Sequence, residues 1–430
     1  MIGSATNLLH SGNGKMKIRI ALATCATSRT IASRRDGLNA MLIGAKFTGA
    51  KLSLDEFANM QPMVNSWQLS LELFGATLAD GVVRHFGNPS QELAAAVNAT
   101  VIADLSHLGV IQVSGADALT FLQGQLTQDV AKITAERAGF AGHCSPKGRL
   151  LAHFLSWKVG DDYFLQLPRE LLEPIQKRLK MYVLRSKVVL ADVSNSTVRF
   201  GIAGANAASL IKEVFGTAAL ESMECAATAH GTVIALPNGR YEILTAGDPS
   251  ALWQKLAQDA QPVGESVWRW LQIRAGIPEI YPATQEQFVP QMVNDDLIGA
   301  VSFQKGCYTG QEIVARMHYL GKSKRRMVGA HLDAAETPRP GDPIYGSQLE
   351  GQAIGMVVDA ASAPQGGFDL LVSIPIDENS DSAHYLKIQS GPEININAFK
   401  MNNPAASCGV STRKSKFVTW RATGNRTRRD

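Results

Sequence analysis

Residues 271–316 read LQIRAGIPEIYPATQEQFVPQMVNDDLIGAVSFQKGCYTGQEIVAR and are the most informative part of the chain. The segment Lys305-Gly-Cys-Tyr-Thr-Gly-Gln-Glu312 combines two glycines, a cysteine and a lysine. Its last four residues match the capping box S/T-x-x-E, in which the first and fourth side chains cap a helix reciprocally. The pattern therefore predicts a helix that begins at Thr309.

Cys307 is the candidate catalytic residue of this segment, with Lys305 as its partner. A cysteine just outside a helix N-terminus and beside an ammonium is favoured as the thiolate, which is the nucleophilic form. The alternative is a buried cysteine in a structural turn, and the residues alone leave both readings open.

The flanking sequence is a mixture of strand and helix patterns. Alternation predicts strands at 110–113, 163–167, 186–190 and 198–202, and a spacing of three to four predicts helices at 118–126, 169–182 and 205–214. The elements do not alternate in regular parallel-sheet units, so we expect an α+β fold. After Arg325 the pattern changes to short strands at 327–332, 353–358 and 370–374, which indicates a small β-barrel.

These patterns predict four regions. They are a flexible extension at 1–59, two interleaved α+β subdomains at 60–324, a C-terminal β-barrel at 325–385 and a flexible basic tail at 386–430. The extension has transit-peptide-like composition, or it reads through from a start codon upstream of Met60 or Met63. The two ends are basic, with net charges of +5 for 1–59 and +7 for 382–430, whereas 60–381 carries −8. Binding to a phosphate backbone is therefore not the default expectation for the body.

Several protein classes are excluded. No apolar stretch approaches the 18 residues that a membrane helix needs, so no membrane association is expected. Five scattered cysteines without a CxxC pair argue against a disulfide framework and suit a reducing compartment. We expect the protein in the cytoplasm, or in the mitochondrial matrix if residues 1–59 are a transit peptide.

Two further kinds of site are not expected. Gly321-Lys-Ser323 resembles the end of a phosphate-binding P-loop, but it lacks the first P-loop glycine because position 316 is Arg316. The dispersed histidines predict no metal site.

The chain resembles the YgfZ family of folate-binding proteins, which are relatives of the aminomethyltransferase (T-protein) of the glycine cleavage system. The resemblance rests on K-G-C-Y-T-G-Q-E, on A-G-I-P, F-V-P-Q-x-x-N and V-A-R around it, and on upstream motifs at 113–117, 121–130, 143–149 and 182–188. It covers roughly residues 101–371.

The resemblance implies a T-protein-like fold of three domains around a central hole, with tetrahydrofolate or a related folate near the middle. It also implies a role in synthesis or repair of iron–sulfur clusters, in support of enzymes such as tRNA methylthiotransferases, and we expect a monomer. Cys307 matches the residue expected to be essential, and Trp268 matches a tryptophan near the folate. We assign folate contacts to Trp268, Arg274, Gln291, Asn294, Tyr308, Gln311, Glu312 and Arg316.

The chain also departs from its relatives. T-proteins carry a catalytic Asp in the stretch that matches residues 148–153, which has no carboxylate here. A Glu that holds the pterin is replaced by Arg274, and a second family Trp by Leu108. Asp295 stands where relatives carry an apolar residue, and if it is buried it needs a partner.

Two other functions stay open. One is folate-dependent one-carbon (aminomethyl) transfer, against which the missing carboxylate argues. The other is direct tRNA binding through the basic run Arg316, Lys322, Lys324, Arg325 and Arg326, although such a run is more often a solvated face.

Overall fold

The computed structural model describes residues 61–245, 248–321, 323–347, 351–375 and 383–396, with side chains from Ser66 onward. The predictions for residues 1–59 and for the tail beyond 396 lie outside the described residues. The α-helices are α1 Gln61–Leu73, α2 Pro89–Asn98, α3 Ala118–Gln125, α4 Arg169–Lys180, α5 Ala207–Phe215, α6 Pro249–Leu256, α7 Glu265–Arg274 and α8 Gln311–Tyr319. Short 3₁₀ turns lie at Val130–Lys132, Pro282–Thr284 and Pro290–Val293.

The strands form a hairpin, two larger sheets and a barrel. They are β1 Thr77–Ala79, β2 Val82–His85, β3 Val101–Asp104, β4 Leu108–Ser114, β5 Gly139–Cys144, β6 Leu150–Val159, β7 Asp162–Pro168, β8 Val189–Asp192, β9 Arg199–Ala203, β10 Cys225–Thr228, β11 Gly231–Leu236, β12 Arg240–Thr245, β13 Gln261–Val263, β14 Arg325–Leu332, β15 Pro343–Gly346, β16 Ala353–Ser362, β17 Phe368–Pro375, β18 His384–Leu386 and β19 Glu393–Ile396. The mixed fold confirms the predicted α+β class.

The two larger sheets are mostly antiparallel. One has the order β10-β11-β12-β9-β3-β13, in which only β13 runs parallel to its neighbour β3. The other has the order β5-β6-β7-β4-β8. Helix α4 covers the second sheet with Leu172, Ile175 and Leu179, which are buried as the 3–4 spacing predicts. The strand predicted at 186–190 is displaced to Val189–Asp192, and the helix predicted to reach 182 ends at Lys180.

A closed six-stranded barrel follows α8, in the order β14-β17-β16-β15-β18-β19, and β14 pairs with β19 to close it. The predicted β-barrel is confirmed, but the boundary at 385 is wrong. Strand β19, at 393–396, belongs to the barrel because Ala330 and His331 pair with Ile396 and Asn395. Its residues alternate in burial over only four positions, which is too short for the sequence pattern to reveal.

The core is largest around the five-stranded sheet, and it extends into α7 and into barrel residues such as Met327 and Leu371. A second core, with Trp67, Phe200 and Trp253, lies against the six-stranded sheet, and a third fills the barrel. Among the described helices, none is both long and apolar enough to cross a membrane.

Candidate functional site

The segment around Cys307 leads into α8, but the predicted capping box is not formed. The helix begins at Gln311, and Gly310 is its N-cap residue with φ of 83° and no side-chain cap among the described residues. The backbone N–H of Thr309 instead donates to the carbonyl oxygen of Gly124, at 3.3 Å. Cys307 therefore lies four residues before the first helical residue, and the predicted helix start at Thr309 is wrong.

A close backbone approach explains why this segment starts its helix with glycine. A Cβ on Gly310 would lie 2.4 Å from the carbonyl oxygen of Ser145 and 2.9 Å from the Cα of Gly148. The left-handed conformation and this contact exclude a side chain at position 310. The turn at 145–149 and the start of α8 are thus packed together through two glycines.

Lys305 ties the Cys307 segment to α3. Its Nζ donates to the carbonyl oxygens of Gln123, Leu126 and Gln128 at 2.8, 2.7 and 2.8 Å. An ammonium has three N–H donors, so all of them are used. Burial lowers the pKa of Lys305 to about 8, which still leaves the ammonium mostly protonated at pH 7. The side chain predicted to assist Cys307 is thus engaged as an anchor.

Cys307 is exposed, unlike Cys144 and Cys225, which are buried. It lies in an open groove of about 650 Å³ that α3 and the turn after it form. The groove is lined by Leu119, Thr120, Gln123, Gly124, Ala131 and Cys307. The arrangement makes the thiol reachable by a large partner, which favours the functional interpretation over the buried structural turn.

A separate, narrow cavity lies between the two sheets, beside the C-terminal end of α7. Its empty volume of about 400 Å³ includes open solvent. The enclosed part leaves about 30 Å³ for the centres of water-sized molecules, so a larger ligand would need its walls to move apart. Its walls are Phe140, His153, Leu155, Gln166, Leu167 and Pro168 from the five-stranded sheet, Leu236, Arg240 and Glu242 from the six-stranded sheet, and Gln272, Ile277 and Glu279. Ligand sites typically combine such an apolar wall with a few convergent polar groups.

Glu242 is a buried carboxylate with an unused acceptor. Its Oε2 accepts from the Nε2 of Gln166 at 3.0 Å, whereas Oε1 has no hydrogen-bond partner among the described residues. Burial raises the pKa of Glu242, and the neighbouring Arg199 opposes that rise. A buried acceptor without a donor costs free energy, and a bound N–H group would remove that cost.

Glu279 forms the second acidic wall and is held by its neighbours. It accepts from the Nε2 of Gln272 at 2.6 Å and from the hydroxyl of Tyr281 at 2.7 Å. Burial, reinforced by the nearby Asp359, raises the pKa of Glu279 to about 7. Arg240, also buried, donates to Gln272, and burial lowers its pKa to about 10.

Trp268 does not line this cavity. Its side chain is buried, and a Cβ on Gly201 would lie 2.5 Å from its Cζ3. Its ring faces the guanidinium of Arg240, whose Cζ lies 5.5 Å from the ring centroid. The predicted contact of Trp268 with folate would need the ring to move if the ligand lies in this cavity. In the present structure, Trp268 borders the cavity only through Arg240.

Three other side chains that were predicted to contact folate instead contact other parts of the protein. Arg274 lies near the barrel, 3.5 Å from Asp369. The side-chain amides of Gln291 and Asn294 donate to the carbonyl oxygens of Val314 and Met327. These three side chains fasten the barrel and α8 to the body of the chain.

The remaining predicted contacts lie around α8. Tyr308 is buried, and burial and nearby Cys144 raise its pKa. Gln311 is half-buried at the start of α8, and Glu312 and Arg316 are exposed on it. The residues of the predicted site therefore lie in three places. Cys307 is in the groove, Arg274, Gln291 and Asn294 are at contacts with the barrel and α8, and Trp268 lies behind the cavity wall.

The sequence reasoning missed the polar residues of the cavity. Glu279 directly follows the quoted A-G-I-P motif, and Arg240 and Glu242 alternate within the otherwise apolar strand RYEILT. Charged residues inside a buried strand pattern are a signal that could have found this wall.

The structure also shows which cations of the candidate RNA-binding run are exposed and which are paired. Arg326 pairs through two nitrogens with Asp296, at 2.5 and 2.9 Å, and donates to the carbonyl oxygen of Gln291. Arg325 is half-buried, and Lys322 lies outside the described residues. Arg316 and Lys324 are exposed.

Comparison with known proteins supports the fold class. A family model for the GCVT N-terminal domain matches residues 59–238. The crystal structure of the glycine cleavage system aminomethyltransferase T from Bartonella henselae superposes with a TM-score of 0.61 at 18% identity, over 76% of this chain and 94% of that one. The chain therefore has the aminomethyltransferase T fold.

Sequence relatives define the family more closely. The tRNA-modifying protein YgfZ of Escherichia coli O157:H7 is 31% identical over 300 residues, which are 68% of this chain and 91% of that protein. The protein of the same name from E. coli O45:K1 matches equally well, at 31% identity over the same shares. This chain belongs to the YgfZ family, as its motifs predicted.

Proposed function

We propose that this chain binds a reduced folate in the cavity between the two sheets and that it supports tRNA modification by assisting iron–sulfur enzymes through Cys307. The observation that carries the folate assignment is the unpartnered Oε1 of Glu242 in the cavity wall. The fold supports it, and the relatives' name, tRNA-modifying protein, supports the link to tRNA.

The wall residues match the hydrogen-bonding groups of a pterin ring, which would enter the cavity as its walls move apart. The 2-amino group and the adjacent ring N–H of a pterin are donors, which the carboxylate of Glu242 can accept. Arg240 and Gln272 offer donors for the ring's acceptors, and Phe140, Leu155 and Ile277 supply apolar contact. Glu242 and Glu279, from other parts of the chain, thus supply the carboxylates in place of the Glu that relatives carry at the position of Arg274.

The iron–sulfur part of the proposal rests on Cys307. Its thiol is exposed in a wide groove, apart from the folate cavity, so a protein or cluster could approach while folate is bound. Aminomethyl transfer is a weaker candidate because residues 148–153 supply no carboxylate.

Folate binding is tested by calorimetry with 5-formyltetrahydrofolate. Glu242→Gln replaces the acceptor by an amide whose N–H groups face the ligand donors, and we expect a loss of about 1.5–3 kcal/mol, the cost of one hydrogen bond to a charged group. Glu213→Gln, on the exposed face of α5, is the control and should bind like the wild type. Equal affinities for all three proteins would refute the placement of folate in this cavity.

The role of Cys307 is tested in a strain that lacks its own YgfZ protein, by the amount of methylthiolated tRNA. Cys307→Ser should fail to restore the modification, whereas Gln304→Ala, an exposed change in the same segment, should restore it. Full restoration by Cys307→Ser would show that the thiol is dispensable.

A further inference from the structure

His153 and Asp295 form a buried pair beside the folate cavity. His153, on β6, lines the cavity and stacks on Phe140 with ring centroids 5.5 Å apart. Its Nε2 lies 3.4 Å from Oδ1 of Asp295, whose side chain is fully buried after the turn Pro290–Val293. Asp295 thus has the partner that its burial requires.

The contact between them is unusually isolated. Apart from this 3.4 Å contact with each other, neither the carboxylate oxygens of Asp295 nor the Nε2 of His153 have a hydrogen-bond partner among the described residues. In the described part of the chain, His153 is the one basic side chain within ion-pair distance of Asp295. An unpaired buried carboxylate is costly, so the pair as a whole should carry no net charge.

Neighbouring charges reinforce this protonation state. Burial, with the adjacent Asp296, raises the pKa of Asp295 well above its ordinary value, and burial lowers the pKa of His153 to about 3. The other titratable groups that line the cavity are Glu242, Glu279 and Arg240.

A His153–Asp295 pair without net charge shares two titratable protons. The two arrangements of these protons across the contact both leave a hydrogen on Nδ1 of His153. In the ion pair, both ring nitrogens of His153 carry hydrogen. In the neutral pair, the Asp295 hydroxyl faces Nε2 across the 3.4 Å contact and can donate to it, which leaves the ring hydrogen on Nδ1. Nδ1 is therefore a donor in either case, and no described residue hydrogen-bonds to it.

We propose that His153 presents its Nδ1–H to the cavity and binds a ring carbonyl oxygen of the ligand, and that Asp295 is the positioning residue that fixes this tautomer. The inference rests on the proposed function, in which the cavity binds a reduced folate. A cyclic amide matches the wall, because its N–H suits the carboxylate of Glu242 and its carbonyl suits the N–H of His153. The chain thus places a donor at the end of the stretch 148–153, in which relatives of the T-protein type carry a carboxylate.

The tautomer is measured first, without ligand, by NMR of ¹⁵N-histidine-labelled full-length protein. His143 is an internal reference, because its Nδ1 lies 3.0 Å from the carbonyl oxygen of Gln125 and must donate to it. The proposal predicts hydrogen on Nδ1 of His153 at pH 7, and a shift toward hydrogen on Nε2 in Asp295→Leu. An unprotonated Nδ1 in the wild type would overturn it, whether or not folate binds.

Binding of 5-formyltetrahydrofolate is measured second. His153→Leu should weaken binding about tenfold, as expected for one buried hydrogen bond, and Asp295→Leu by a few-fold. His318→Leu, on the exposed face of α8, should bind like the wild type. If the wild type binds folate and His153→Leu binds it equally well, this inference is wrong. If the wild type does not bind folate, the proposed function fails instead, and the NMR result still decides the tautomer.

Discussion

The Nζ of Lys305 lies 2.7 Å from the carbonyl oxygen of Leu126, at the point where α3 ends. Two further carbonyl oxygens complete its donors, so one side chain from the Cys307 segment closes the C-terminal end of α3. Lysine at this place satisfies carbonyl groups that a helix end leaves without partners.

We therefore predict that Lys305→Met destabilises the protein by about 2 kcal/mol, because buried hydrogen bonds to a charged group are lost. The measurement is urea unfolding followed by circular dichroism. Lys132→Met, an exposed lysine in the next turn, is the control and should change the free energy of unfolding little. Wild-type stability in Lys305→Met would mean that the ammonium is not an anchor.

Alkylation of the native protein should distinguish the cysteines by burial. Among the three cysteines in the described residues, we expect iodoacetamide at pH 8 to modify Cys307 first, and Cys144 and Cys225 only after unfolding. Burial raises the pKa of Cys144 and raises that of Cys225 to about 12, so neither is a ready thiolate. Peptide mass mapping over time gives the order, and early modification of Cys144 would contradict the burial that the structure assigns.

Glu279 should make stability depend on pH in a definite direction. Its pKa is raised from 4.5 to about 7, so between these values the folded chain binds more protons than the unfolded chain. The contribution of Glu279 to the free energy of unfolding is therefore largest below pH 4.5. It falls by up to about 3 kcal/mol as the pH rises through 7. Glu279→Gln should remove this loss, as seen in urea midpoints from pH 4.5 to 7.5. The exposed Glu312→Gln should retain it, and equal slopes for all three proteins would refute the raised pKa.

The position of Trp268 is tested through Gly201. An added methyl group would meet the indole ring, so Gly201→Ala should cost about 1–3 kcal/mol, which is typical of an overpacked core. Gly124→Ala is the matched change, because nothing lies within 4 Å of its Cβ position in α3, and it should be neutral or slightly stabilising. Thermal unfolding compares the two, and a harmless Gly201→Ala would place the ring elsewhere.

Local patterns predicted the fold well where an apolar period was regular within an element or where several short strands followed one another. The spacing of Leu172, Ile175 and Leu179 found α4, and short alternating segments after Arg325 found the barrel. The failures have local causes. Thr309 and Glu312 had the spacing of a capping box, but tertiary contacts of Gly310 moved the helix start to Gln311. The barrel strand at 393–396 was too short to show a period.

The candidate site was only half predictable. The motif made Cys307 a candidate, and its exposure depends on a groove that a distant helix completes. The cavity wall could not be assembled from sequence, because β6, β12 and the segment after α7 bring His153, Glu242 and Glu279 together across more than a hundred residues. Asp295 stood out as a polar residue at an apolar position, but its partner became visible only in three dimensions.

The most direct test of the account is a crystal structure with 5-formyltetrahydrofolate bound. We predict electron density for the pterin ring in the cavity between the sheets, with ring N–H groups within hydrogen-bond distance of Glu242 Oε1, while the thiol of Cys307 stays open in its own groove. Pterin density in the groove beside Cys307, or a bound folate that leaves Glu242 Oε1 without a donor, would contradict the account.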